Sequence, residues 1–279
     1  MFNWFKTTTK QPTPIELPYM EDFTDAAEIY RFFTDLTGIH FDQKESITTP
    51  KLKRFAKGQG CSSFIELMEK LRLDKDVREG LINLLTVNET YFFREKGQFD
   101  FLARYCHTVS TPFRILCAPG SSGEEPYSIA IILAEAGLPL SSIQIVSIDI
   151  NTEATNRART GVYTNRALHR LPEPLKERYF VAEGTSYRVN ETIKKVVDFC
   201  SCNIFEAEFL ELGVFNTIFS RNMLIYFDLP TIEKAVNQLK KAAYNDQTLF
   251  FFGHADLPVT PLGLEGHFEE GIKYYTLKE

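Results

Sequence analysis

Cys117-Ala118-Pro119-Gly120-Ser121-Ser122-Gly123-Glu124-Glu125-Pro126 is a glycine turn that runs into two acids where a phosphate-binding loop carries lysine and a hydroxyl. Glycines let the backbone turn sharply and approach a ligand closely, and a helix that starts after them points unpaired N–H groups at the same place. Such a site ordinarily takes anions. Glu124 and Glu125 oppose a phosphate and suit a cationic group such as an ammonium or sulfonium. A Gly-x-x-Gly after a strand also serves as a plain strand-to-helix connection, so the flanks decide between the two readings.

Those flanks form β-turn-α units. Phe113 to Cys117 reads as a short buried strand, and Tyr127 to Ala136 has apolar residues at helical spacing, with Pro126 tolerated in a first turn and Gly137 as the stop. Ile143 to Ile148 is a second strand that ends in Asp149, and Thr152 to Thr160 is helix-compatible before Gly161. Asp149 stands roughly 25 residues beyond the glycines, near the spacing at which an acid at a strand end binds ribose hydroxyls. The alternative role for it is a cap on the next helix. Phe215 to Ser220 reads as a strand that delivers Arg221, Asn222 and Tyr226, a helix with Pro230 in its first turn runs on to about Asn245, and Thr248 to Gly253 is a further strand. Strands alternating with helices imply a mostly parallel sheet covered on both faces, with a ligand over the carboxyl ends of the strands.

Composition agrees. The chain has 279 residues, 44% of them hydrophobic, enough for a sizeable core and a second, smaller domain. A net charge of -6 argues against a nucleic-acid partner. Cys61, Cys106, Cys117, Cys200 and Cys202 form no Cys-x-x-Cys pair, no metal-ligand spacing with the histidines and no secreted-style framework, which points to reduced thiols in a cytoplasm and to no metal. Residues 1–20 contain no apolar signal core and are expected to be a flexible tail, and no stretch suits membrane insertion.

Residues 21–87 differ in pattern. Ile29, Phe32, Phe33 and Leu36 follow helical spacing before Gly38, and Phe64, Leu67, Met68 and Leu71 repeat it, so an all-α domain is expected. Within it Thr49-Pro50 starts a helix that carries Lys51, Lys53, Arg54 and Lys57. The cluster is either a solvated face or a docking site.

Residues 88–110 link the two parts, beginning Asn88-Glu89-Thr90-Tyr91-Phe92-Phe93-Arg94-Glu95, three aromatics in succession beside polar groups. With Gly-Glu-Glu-Pro-Tyr-Ser (Gly123 to Ser128), Ser-Arg-Asn-Met-Leu-Ile-Tyr-Phe-Asp (Ser220 to Asp228) and Gly253-His254-Ala255-Asp256, the chain closely resembles the chemotaxis receptor glutamate methyltransferases, the CheR family. The resemblance implies a Rossmann-like α/β catalytic domain over residues 111–279, an inserted antiparallel β-subdomain at about 175–202, and an S-adenosylmethionine-dependent O-methyltransferase that esterifies glutamates on the cytoplasmic helices of chemoreceptors, leaving S-adenosylhomocysteine. By motif, it implies that Asn88, Thr90, Arg94, Glu125, Asp149, Asn203, Ile204, Arg221 and Asn222 line the cofactor pocket, and that Arg94 and Tyr226 lie close to the transferred methyl. It implies receptor docking for Lys51, Lys53, Arg54 and Lys57.

Other roles stay open for some of these residues: Glu124 as support for the turn, Arg221 as a structural salt-bridge partner, Tyr226 as a core aromatic. Tyr179 to Ala182, Ser186 to Val189 and Lys195 to Phe199 read as the three strands of the subdomain. Members of the family that tether to a receptor's carboxyl-terminal pentapeptide have a longer, glycine-rich loop between the first two. Here it is Glu183-Gly184-Thr185 or little more, so activity without the tether is expected. Two further classes remain as alternatives: a signalling protein that keeps the cofactor fold with weak catalysis, and a nicotinamide enzyme, whose full glycine fingerprint is missing here.

Overall fold

The computed structural model describes residues 21–41, 45–109 and 112–278, so the tail expectation for residues 1–20 lies outside the described residues. The amino-terminal domain is helical: α1 (Ala27–Thr37), α2 (Glu45–Gly58), α3 (Phe64–Leu73) and α4 (Lys75–Leu85). Their apolar stripes, including Phe33, Leu52, Leu67, Leu71 and Leu81, meet in one buried core. Polar residues mark the boundaries. Ser63 accepts from the Glu66 N–H while Glu66 takes the Ser62 N–H, and Asp74 caps α4.

Helix α2 corrects an expectation, because it begins at Glu45 and Pro50 lies inside it. A proline so near a helix start forfeits few backbone bonds. The turn before it is pinned by buried Thr48, whose hydroxyl lies 2.6 Å from the Tyr30 hydroxyl.

After α5 (Gly97–Cys106) the chain alternates through β1 (Phe113–Cys117), α6 (Glu124–Glu135), β2 (Ile143–Asp149), α7 (Thr152–Thr160), β3 (Val162–Thr164), α8 (Glu173–Tyr179), β4 (Phe180–Glu183), β5 (Ser186–Val189), α9 (Glu191–Lys194), β6 (Val197–Ser201) and α10 (Glu208–Glu211). It ends with β7 (Thr217–Ser220), α11 (Leu229–Lys241), β8 (Leu249–Phe252), β9 (Leu264–Glu269) and β10 (Ile272–Leu277). Among the described residues the main sheet runs β6-β2-β1-β7-β8-β10-β9, with the first five parallel and β10 and β9 antiparallel. Its middle is apolar on both faces, as a sheet between helices requires. Helix α11 stops at Lys241, short of the expected Asn245.

The small antiparallel sheet is ordered β3-β5-β4. Its third strand is therefore Val162–Thr164, whereas the expected third strand, near Lys195 to Phe199, is β6 of the main sheet, parallel to β2 from Ile145↔Val197 to Asp149↔Ser201. Alternation is the same in either sheet, and only partner choice separates them. The β9–β10 hairpin was not expected. Glu270 (φ 51) and Gly271 (φ 81) form its two-residue loop, the positive-φ pair that a type I′ turn needs.

Candidate functional site

Three strand ends and the linker build one cleft. Beyond β1, the turn is fixed by close packing as well as by conformation: a Cβ on Gly120 would fall 1.8 Å from Ser147 Oγ, and one on Gly123, at φ 95, would meet the Tyr163 hydroxyl and Ala158. At the end of β2, Asp149 is buried and accepts the Ser121 N–H at 2.9 Å and the Asn151 N–H at 2.8 Å. Burial raises its carboxyl from the ordinary 3.8 to about 6 against the pull of those bonds. Asn151, not Asp149, supplies the side-chain cap of α7.

Past β7, Arg221 is buried and Asn222 takes φ 58. That turn is held by Asp256, beyond β8, whose carboxyl accepts N–H groups from Asn222 (2.5 Å), Gly253 (2.7 Å) and Ile225 (3.2 Å). Asp256 thus fixes the segment that ends in Tyr226, a role that sequence reasoning missed; an acid just past the Gly253-His254 strand end was the available signal.

The linker is pinned by its aromatics. Phe92 is buried edge-on against Tyr163 and Phe180, its N–H donates to Ala167 O, and the Phe93 N–H donates to Ser128 Oγ on α6. Arg94 is thereby carried to the rim, where it donates to Glu89 O at 3.0 Å.

Asn88, Thr90, Arg94, Glu125, Arg221 and Asn222, with Asp149, surround a cavity of about 60 Å³. Asn203, Ile204 and Tyr226 line a larger neighbour of about 240 Å³ between the helical domain and the sheet, and Asn88, Asp149 and Asn222 border both. All the expected cofactor residues and Tyr226 thus gather on one continuous cleft. Asn203 also ties the domains together, donating to Leu36 O at 2.9 Å while accepting from the Phe205 N–H. Glu124 is buried and accepts from Ser122 Oγ at 2.7 Å, which makes it a support of the turn, while Glu125 reaches the cavity. Burial raises the Tyr226 phenol, with Arg94 acting in the opposite direction.

Lys51 lines the mouth of the larger cavity. Lys53, Arg54 and Lys57 do not, and Lys53 and Lys57 lie 4.0 and 2.6 Å from Glu21 carboxyl oxygens. Among the described residues there is no cluster able to hold a metal, and no helix is long and apolar enough to cross a membrane.

A parallel sheet with a glycine turn at its first strand, an acid at the end of the second and an interior cleft over the strand ends defines a Rossmann-like enzyme for a nucleoside cofactor. Residues 88–261 match the family described as CheR methyltransferase, SAM binding domain. The chain is 36% identical over 264 residues to chemotaxis protein methyltransferase 2 of Pseudomonas aeruginosa, covering 89% of this chain and 92% of that one. It is 34% identical over 249 residues to a chemotaxis protein methyltransferase of Campylobacter jejuni, covering 89% and 91%. With that of Escherichia coli it shares 33% identity over 223 residues, 77% of each chain. The chain belongs to the CheR methyltransferase family, and its cofactor is S-adenosylmethionine.

Proposed function

We propose that this protein is a protein-glutamate O-methyltransferase that forms methyl esters on the cytoplasmic helices of methyl-accepting chemotaxis receptors, working in the cytoplasm during adaptation. The observation that carries this reading is that Arg94 and Tyr226 border one cleft together with Glu125 and Asp149, on a chain whose relatives are named chemotaxis methyltransferases. Asp149 would accept ribose hydroxyls, Ile204 and Asn203 would border the adenine, and Asn88, Thr90, Arg221 and Asn222 would complete the pocket.

A glutamate carboxylate with an unperturbed pKa of about 4.3 is already an anion at neutral pH, so it needs no base. Bound S-adenosylmethionine would supply the methyl group: the carboxylate oxygen would bond to the methyl carbon as the carbon–sulfur bond broke, with the electron pair leaving on sulfur as S-adenosylhomocysteine. The task left to the protein is alignment of oxygen, carbon and sulfur, with Arg94 positioning cofactor and substrate and the Tyr226 phenol orienting the carboxylate. The test is transfer of labelled methyl from S-adenosylmethionine to membranes that contain candidate receptors. An alkali-labile product is expected, and an alkali-stable one would contradict an ester.

Lys51, Lys53, Arg54 and Lys57 are proposed to dock the acidic receptor helices. Exposed pairs such as Lys57–Glu21 hold their partners weakly and leave the lysines available to a more acidic surface. Replacing Lys53, Arg54 and Lys57 with Ala is expected to raise the receptor concentration for half-maximal rate roughly tenfold and to flatten its dependence on ionic strength. Equal salt dependence in variant and parent would return the cluster to a solvated face.

The β4–β5 loop is reduced to Gly184-Thr185, since Glu183 pairs with Ser186. This supports methylation without a tether. A free receptor pentapeptide is expected to bind no better than millimolar, about -4 kcal/mol, and micromolar affinity on titration would mean that an edge such as β4 accepts the peptide.

A further inference from the structure

The loop that carries Arg94 also carries a second acid. Glu95 is held at φ 52, in the left-handed region that such a residue occupies only where its surroundings impose it. Its Oε2 lies 3.4 Å from Nη2 of Arg221, while Nη1 of the same guanidinium lies 3.1 Å from Oε2 of Glu125. The Arg221 side chain is only 1% exposed, donates from Nη2 to Arg94 O at 2.7 Å and lies over the Phe99 ring. One buried cation therefore faces two carboxyl groups. Among the described residues, Glu95 Oε2, Glu125 Oε1 and Arg221 Nε are buried without a hydrogen bond, so the cluster does not satisfy itself.

Buried charge is costly unless paired, and one cation beside two anions leaves a charge over. Of the three groups, Glu125 and Arg221 reach the smaller cavity, so the surplus is available to a ligand there. Arg94 borders the same cavity. Groups of opposite sign side by side fit a zwitterion, the amino-acid end of the cofactor.

We propose that Glu95 is a positioning residue that divides Arg221 between two carboxyl groups, so that Glu125 is left incompletely paired and open to the cofactor's α-ammonium. The proposal rests on S-adenosylmethionine occupying this cleft. Without Glu95, Arg221 pairs with Glu125 alone and presents a neutral pair to an arriving cation. With it, Arg221 is shared, and Glu125 has acceptor capacity left for the ammonium. Burial raises the Glu125 carboxyl, Arg221 draws it down, and Glu95 raises it again, as expected of a carboxyl short of cationic partners.

The test is calorimetric titration of the full chain with S-adenosylhomocysteine and with 5′-methylthioadenosine, which keeps the adenosine and thioether but lacks the amino-acid end. Glu95→Gln is expected to weaken S-adenosylhomocysteine about tenfold and to leave methylthioadenosine within about twofold of the parent. Glu95→Asp, which retains the charge, is expected to recover most of the lost affinity. Parallel loss of both ligands in the Gln variant, or unchanged binding of S-adenosylhomocysteine, would overturn the proposal. A parent protein that binds neither ligand would instead overturn the cofactor assignment of the cleft.

Discussion

Arg94→Ala and Tyr226→Phe are each expected to lower turnover on the order of 100-fold, because both act on alignment at the methyl, where a displacement of about 1 Å is that costly. Stability is expected to change little. Arg94 sits at the rim, where its guanidinium donates to Glu89 O and lies 6.0 Å from the centre of the Tyr91 ring. Tyr226 keeps its backbone bond from the His40 N–H in the Phe variant. A melting temperature within about 4 °C of the parent accompanies the lost activity if the roles are catalytic. Parallel collapse of both quantities in both variants would make these residues structural.

Asp149→Ala is expected to weaken S-adenosylmethionine by about 2 kcal/mol, close to 30-fold, since ribose hydroxyls lose a charged acceptor in a buried place. The same residue gives binding a pH dependence. Its folded-state value is raised from 3.8 to about 6, so in the free protein it favours the fold most below 3.8, and that contribution is lost as pH rises through about 6. Cofactor affinity runs the other way, because ribose hydroxyls need the ionised acceptor: affinity falls as pH drops through about 6, and Asp149→Asn flattens the profile. Calorimetry across that range decides it, and a flat profile in the parent would remove Asp149 from the ribose site.

Much of this site was legible because its chemistry clusters at local landmarks. Gly120, Gly123 and Glu125 lie in one turn and Asp149 closes an apolar run, so short windows of sequence hold both the residue and its place at a strand end. What was missed depends on partners far apart in the chain. Glu95 meets Arg221 only because the linker crosses beside the end of β7, and Asp256 collects N–H groups from a turn some 30 residues earlier. Strand β6 has the alternation of a hairpin strand, but its register with β2 assigns it to the main sheet. The β9–β10 hairpin was hidden because Glu270-Gly271 is a less familiar loop pair than Asn-Gly, although its backbone has the same positive φ values.

The most direct test of glutamate ester formation in this cleft is mass-spectrometric mapping of a receptor cytoplasmic fragment after reaction with deuteromethyl S-adenosylmethionine. The label is expected on glutamate side chains, released by mild alkali and absent with Tyr226→Phe over the same time. Label on lysine, asparagine or another nitrogen, or label on glutamate that persists undiminished with Tyr226→Phe and Arg94→Ala, would contradict it.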